Sequence, residues 1–272
     1  MIDKKNYSLL AHNTFGIDAR CRRFVEYSSV EEAQELVRTL TPEDGPLLIL
    51  GGGSNLLLTG DYEGTVIHSA IRFIEPLGEG RVRCGSGQEW DAFVAWCVAN
   101  GYHGAENLSL IPGECGASAV QNIGAYGAEA CDLIEEVEAV EIATGRLCHL
   151  KGSDCGYSYR QSRFKHEWRD RFLITSVTYR LSAQFDPQLD YGNIRAALAE
   201  KAITHPTAEQ MRQTIIEIRR SKLPDPKVFG NAGSFFMNPI VGEEKFRELQ
   251  AQYPQIPHYE VADADGTTRY KV

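Results

Sequence analysis

Four stretches of this sequence carry residue types and spacings that could do chemistry. Arg160 lies in GYSYRQSRFK at 156–165. A guanidinium held by aromatic packing presents a fixed cation to a carboxylate or an enolate. The competing reading is a surface stacking pair. Ser234 lies in GNAGSFF, with small residues before it and aromatics after it. A hydroxyl in a shaped pocket could relay a proton, although a serine here is more often a turn residue. GGGSN, residues 51–55, follows LLIL directly. Glycines let the backbone approach a pyrophosphate, and successive N–H groups can form an anion nest. Alone, a glycine triplet is more often a tight turn, and the spacing is neither GxGxxG nor GxxxxGK[ST]. IPGECGASAVQNIGAYG at 111–127 has small residues at Gly113, Gly116, Ala117, Ser118, Gly124 and Ala125. These leave room for a flat, bulky ligand, while Gln121 and Asn122 offer amides to a heteroaromatic edge. The competing reading is a glycine-rich connector.

Arg219, Arg220, Lys222 and Lys227 concentrate positive charge on a chain with net charge -9. Such a cluster suits a small polyanion, or it merely offsets a helix C-terminal dipole. The acidic balance, 28 Lys+Arg against 37 Asp+Glu, disfavours a nucleic-acid coat. No apolar run is long enough for a membrane helix, and the start lacks a signal-peptide block. The seven cysteines are odd in number and lack CxxC pairs. Free thiols in a reducing compartment follow, with the cytoplasm as the default. Cys115 reads as a buried small residue. The histidines form no metal-binding spacing, and no GxSxG elbow is present.

These residues need elements to position them. Ser29 and Glu32 make a capping-box signature ahead of a helix with Val30, Ala33, Val37 and Leu40 on one face. LLIL at 47–50 and TVIH at 65–68 read as strands. RVRCGSG at 81–87 alternates, and Trp90, Phe93, Val94, Cys97 and Val98 mark a helix stopped by Gly101. Residues 135–150 read as a hairpin around Thr144-Gly145, and 172–181 as a strand. The stretch 101–127 shows little periodicity and reads as a long functional loop. Thr207 and Gln210 start a helix burying Met211, Ile215 and Ile218, with a weaker helix near 243–252. The last twenty residues show no strong period.

Together the segments resemble the UDP-N-acetylenolpyruvoylglucosamine reductase (MurB) family. The matching pieces are NTFGID at 13–18, ILGGGSNLL at 49–57, ENLSLIPGECGASAVQNIGAYG at 106–127, YRQSRFK at 159–165 and KLPDPKVFGNAGSFFMNP at 222–239. YGNI at 191–194 resembles the tyrosine loop of the family's type I branch. The resemblance implies an α+β chain: a vanillyl-alcohol-oxidase-type FAD-binding fold in two subdomains, 1–70 and 71–206, with the Tyr191 loop in the second. A partial substrate-binding α/β domain, 207–272, would follow. It implies FAD held by Gly51, Gly52, Gly53, Ser54 and Asn55, and by Pro112, Gly113, Ala117, Ser118, Gln121, Asn122, Gly124, Ala125 and Tyr126. NADPH would reduce the flavin and leave, and UDP-N-acetylglucosamine enolpyruvate would take its place.

The same resemblance makes Arg160 the stabiliser of the enolate and Ser234 the proton donor. Tyr159, Tyr191, Arg219, Lys222 and Asn238 would bind substrate, with Lys222, Tyr191 and Arg219 on the diphosphate. It implies a cytoplasmic monomer of peptidoglycan synthesis, with no nucleic-acid or membrane partner. One departure stands out. The family carries a catalytic glutamate near its C-terminus, and no glutamate here matches it, Glu260 lying too early. A truncated chain with impaired turnover is the expectation. The alternatives are a non-catalytic module binding FAD or a UDP-sugar, and a flavin oxidase of the same fold.

Overall fold

A computed structural model describes all residues except 235 and 263–265. The chain forms two compact units, Met1–Ala232 and Gly233–Val272. In the first, strands β1 (Ile2–Ser8), β2 (Arg20–Tyr27), β3 (Leu47–Leu50) and β4 (Tyr62–Ser69) make a sheet in the order β1-β2-β4-β3. β4 runs parallel to both β2 and β3, and β1 is antiparallel. Helix α1 (Val30–Thr39) makes the β2–β3 crossover. Ser29 caps it by accepting from Glu32 N at 3.2 Å. The reciprocal bond of the expected capping box lands one residue early, on the Ser28 amide at 2.7 Å.

A second sheet follows. β5 (Ile74–Gly78) and β6 (Arg81–Gly85) form a hairpin, and helix α2 (Trp90–Ala99) comes next. The stretch read from sequence as a loop contains a 3₁₀ turn at Glu106–Leu108 and helix α3 (Cys115–Gln121). It leads into a short hairpin, β7 (Gly124–Ala125) and β8 (Ala128–Glu129). β9 (Ile134–Glu141), β10 (Leu147–Lys151) and β11 (Phe172–Arg180) complete an antiparallel sheet in the order β10-β9-β11-β6-β5.

The core follows from these layers. Trp90, Phe93, Cys97 and Tyr179 are fully buried where α2 and α3 cover the second sheet. Leu36 and Val37 of α1 pack with Val25, Ile67, Val140 and Leu173, so one helix face joins both sheets. Burying a side chain such as Leu36 contributes roughly 1.5–3 kcal/mol. Tyr27 O–H donates across this join to the Ile174 carbonyl at 2.8 Å. Helices α4 (Ile194–Glu200) and α5 (Ala208–Lys222) bury Ile194, Leu198, Met211, Ile215 and Ile218 against each other. The Thr207–Gln210 capping box is fully formed.

The second unit holds β12 (Ile240–Val241), helix α6 (Glu243–Gln252), β13 (Tyr259–Ala262) and β14 (Thr268–Lys271). The three strands form a sheet in the order β12-β14-β13, and Phe246 of α6 stacks on Tyr270 at 4.1 Å between ring centroids. The strand pair β13–β14 falls where the sequence shows no strong period.

Candidate functional site

The GGGSN turn leaves the C-terminal end of β3 and packs against residues 112–117. A Cβ on Gly51 would stand 3.1 Å from Ala117 Cβ, and one on Gly52 would stand 3.3 Å from Gly113 Cα. Gly53 is more constrained: its φ is +61, and a Cβ would overlap the His12 carbonyl oxygen. Gly113 has φ +119 with Ser54 Oγ beside it. That hydroxyl donates to the Pro112 carbonyl at 3.0 Å, tying the two loops together. Residues 86–88 form a third wall. Cys115 N donates to Gln88 O at 2.9 Å, Gly116 N to Ser86 O at 2.9 Å, and Trp90 N to Gly113 O at 3.0 Å. The result is a cradle of main chain, lined by glycine where side chains would intrude. It suits a ligand that must approach the backbone closely, as a dinucleotide pyrophosphate does. Asn55 is exposed at its edge.

Beneath the cradle, His68 of β4 is buried between two carboxylates. Nδ1 meets Glu26 at 2.9 Å and Nε2 meets Glu114 at 3.0 Å. Burial lowers the imidazole pKa, but Glu114 and Glu26 together outweigh it, and the net shift is upward. His12, whose ring centroid is 5.2 Å from that of His68, is pushed down by burial and by His68 itself. Sequence reading missed this cluster, because positions 26, 68 and 114 share no local pattern.

The residues of 118–122 expected to hold FAD divide. Ser118 is buried, its Oγ bonded to Cys115 O at 2.7 Å and paired with Tyr179 Oη at 2.9 Å. Asn122 is also buried, at left-handed φ 43. Its Nδ2 donates to Glu129 Oε2 at 2.8 Å and Ser158 O at 2.9 Å, and its Oδ1 accepts from Cys131 N at 3.0 Å. Both side chains are committed inside the protein. Gln121 is half-buried, 3.4 Å from Lys165 Nζ. Cys115 Sγ lies 3.3 Å from Cys84 Sγ, and burial pushes its thiol far up, as suits an inert small residue.

Arg160 is held firmly. Its φ is +57, a conformation that costs a non-glycine residue about 1–2 kcal/mol. Its guanidinium carbon sits 4.9 Å from the Tyr159 ring centroid. Nη1 donates to Asn122 O at 3.2 Å and to Glu129 Oε1 at 3.1 Å, and Nη2 donates to Gly124 O. The β7–β8 hairpin therefore forms one side of the arginine's seat.

The same hairpin carries Tyr126 at its tip, beside the Tyr191 loop. A Cβ on Gly127 would lie 3.3 Å from Tyr191 Cβ, and one on Gly192 would lie 3.5 Å from the Tyr126 ring. Asn107 Nδ2 ties the two together, donating to Tyr126 O at 2.8 Å and Gln188 O at 3.0 Å. Burial lowers the Arg219 pKa, against the opposing effect of Tyr126 and Asp91 beside it. Asp91 anchors this corner through a two-point ion pair with Arg212, at 2.7 and 2.9 Å. Tyr126, Tyr191 and Arg219 are thus brought together, whereas Lys222 is exposed at the end of α5. In the second unit Ser234 and Asn238 are exposed, with Ser234 Oγ 3.3 Å from Phe236 O. Pro112 is exposed, and Ala117 and Ala125 are half-buried.

Among the described residues, no group of three or more His, Cys, Asp or Glu could hold a metal, and no helix is long and apolar enough to cross a membrane.

Residues 21–151 match an FAD binding domain. A 6-hydroxy-D-nicotine oxidase from Arthrobacter nicotinovorans superposes with TM-score 0.52 at 18% identity, over 66% of this chain and 42% of that one. The matched domain and the superposition give the chain the vanillyl-alcohol-oxidase-type FAD-binding fold of a flavoprotein. UDP-N-acetylenolpyruvoylglucosamine reductase of Bacteroides fragilis (strain ATCC 25285) is 52% identical over 273 aligned positions, covering 99% of this chain and 80% of its own length. The enzyme of that name from Thermus caldophilus superposes with TM-score 0.64 at 19% identity, over 98% of this chain and 86% of that structure. The chain belongs to the UDP-N-acetylenolpyruvoylglucosamine reductase (MurB) family.

Proposed function

We propose that this chain catalyses the NADPH-dependent, FAD-mediated reduction of UDP-N-acetylglucosamine enolpyruvate to UDP-N-acetylmuramate, a step of peptidoglycan precursor synthesis in the cytoplasm. The observation that carries the reading is the 52% identity to the Bacteroides fragilis reductase across nearly the whole chain. The cradle supports it, because Gly51, Gly52, Gly53 and Gly113 leave the space that a close-lying pyrophosphate needs. Bound there, FAD would supply the hydride that NADPH provides and that the vinyl carbon of the substrate accepts.

The protein's own residues carry the rest. Adding hydride to the vinyl group leaves negative charge on the enolate oxygens. Arg160 supplies a pre-positioned cation for charge that develops only in the transition state. Ser234 gives a proton to the neighbouring carbon, which requires a hydroxyl held within reach. Tyr159, Tyr191, Arg219, Lys222 and Asn238 bind substrate, with Arg219, Lys222 and Tyr191 on the diphosphate. The domain limits of this reading are 1–70, 71–206 and 207–272, and the working unit is a monomer with small-molecule partners alone. Steady-state turnover with product analysis tests the proposal. NADPH consumed one-for-one with the enolpyruvyl sugar, yielding UDP-N-acetylmuramate, supports it. Consumption that tracks dissolved oxygen would mark an oxidase, and tight sugar binding without product would mark a binding module.

A further inference from the structure

We propose that Glu129 is the positioning residue for Arg160, holding one edge of the guanidinium so that the other is presented for a carboxylate-bearing ligand. The inference rests on the substrate role given to Arg160 above. Five N–H groups are available on a guanidinium. Three are taken: both on Nη1, by Glu129 Oε1 and Asn122 O, and one on Nη2, by Gly124 O. All three acceptors sit on Nη1 and Nη2, and none sits on Nε. Nε–H, which lies on the edge it shares with Nη2, meets no acceptor among the described residues. That edge has the fork geometry that grips a carboxylate through two parallel bonds.

Glu129 is suited to this task by its own fixing. Its second oxygen, Oε2, accepts from Asn122 Nδ2 at 2.8 Å. Asn122 is in turn pinned at Ser158 O and Cys131 N. The Glu129 amide donates to Asp132 Oδ2 at 2.8 Å, closing a capping box at the exit of β8. One carboxylate therefore bridges the arginine and the buried asparagine. The two carbonyl acceptors alone would restrain the guanidinium less, because neither carries charge. Tyr159 stacks on the face and the left-handed backbone sets the direction of the side chain, but neither selects which edge points outward.

The test uses FAD-loaded protein as wild type, Glu129→Gln, Glu129→Asp, Arg160→Lys and the Glu129→Gln/Arg160→Lys double variant. Affinity for UDP-N-acetylglucosamine enolpyruvate is compared with that for UDP-N-acetylglucosamine, which lacks the carboxylate, by titration of the oxidised protein. Flavin reoxidation by the enolpyruvyl sugar is followed alongside. Glu129→Gln should weaken the enolpyruvyl sugar and slow reoxidation, each by roughly 10- to 100-fold, as expected for a misplaced group. It should leave UDP-N-acetylglucosamine affinity and reduction by NADPH unchanged. Glu129→Asp should fall between Glu129→Gln and wild type, and the double variant should be no worse than Arg160→Lys. A Glu129→Gln protein that loses flavin, or weakens both sugars equally, has lost structure rather than aim, and the proposal fails. Normal discrimination in Glu129→Gln with a defect in Arg160→Lys also overturns it, while the role of Arg160 stands. If Arg160→Lys itself discriminates normally, the failure lies in the parent reading.

Discussion

The cradle and the arginine seat lie at opposite ends of α3, yet they are built from opposite materials. The cradle is main chain: Gly51, Gly52, Gly53 and Gly113 matter for the atoms they lack, and its one charged cluster lies underneath, at His68. The seat is side chain: Arg160, Glu129 and Asn122 form a closed polar network whose geometry depends on each member. The difference teaches how each should fail. A cradle is spoiled by adding atoms, and the failure is loss of cofactor. A seat is spoiled by removing charge or aim, and the failure is confined to the step that meets that charge.

The strongest way to break this contrast is Gly53→Ala. The added methyl overlaps the His12 carbonyl, and φ +61 is unfavourable for alanine. The combined cost is about 3 kcal/mol or more. The protein should purify with little flavin and a lowered melting temperature. Full flavin content at the wild-type melting temperature would remove the steric basis of the cradle.

Arg160→Lys comes next. It should keep flavin and its reduction by NADPH, while reoxidation by the enolpyruvyl sugar slows by roughly 10²–10³-fold, the scale of losing one transition-state donor. A defect limited to FAD affinity would place the arginine with the cradle instead. Ser234→Ala should show the same split, with product formation slowed by roughly 10²-fold or more. Equal damage to both half-reactions would argue against proton donation.

The smallest effect concerns pH. Glu114 and Glu26 overcome the burial penalty and raise the His68 pKa above its ordinary 6.5. A raised pKa means the fold favours the protonated ring. That stabilisation is complete below the unfolded value and is lost as pH climbs through the folded one. The melting temperature with His68 in place should therefore fall relative to His68→Gln as pH rises from the acid side through neutrality. His12 has the opposite shift, from burial and from His68 itself, so the comparison is made in a His12→Gln background, which isolates His68. A constant difference across that range would contradict the assignment.

Much of this was legible in the sequence because it is local. LLIL, the strand at 172–181 and the Thr207 cap announce themselves by period and by cap chemistry, and all are present. Helix α3 was not legible. Its residues are mostly small, four of the seven are buried, and Gly116 lies where a Cβ would stand 2.8 Å from Ser86 Cβ, so packing rather than amphipathic period specifies it. Asn122 was expected to offer its amide to a ligand, but buried donors and acceptors must be satisfied, and the protein satisfies them internally. Glu129 and the Glu26–His68–Glu114 cluster gave no signal, because each is created by chain segments that meet only after folding.

The most direct test of the account is an anaerobic two-step flavin experiment on the purified, yellow protein. NADPH should bleach the flavin absorbance, and UDP-N-acetylglucosamine enolpyruvate added afterwards should restore it with formation of UDP-N-acetylmuramate. Absorbance that returns only when oxygen is admitted, or a protein that takes up no FAD, would contradict it.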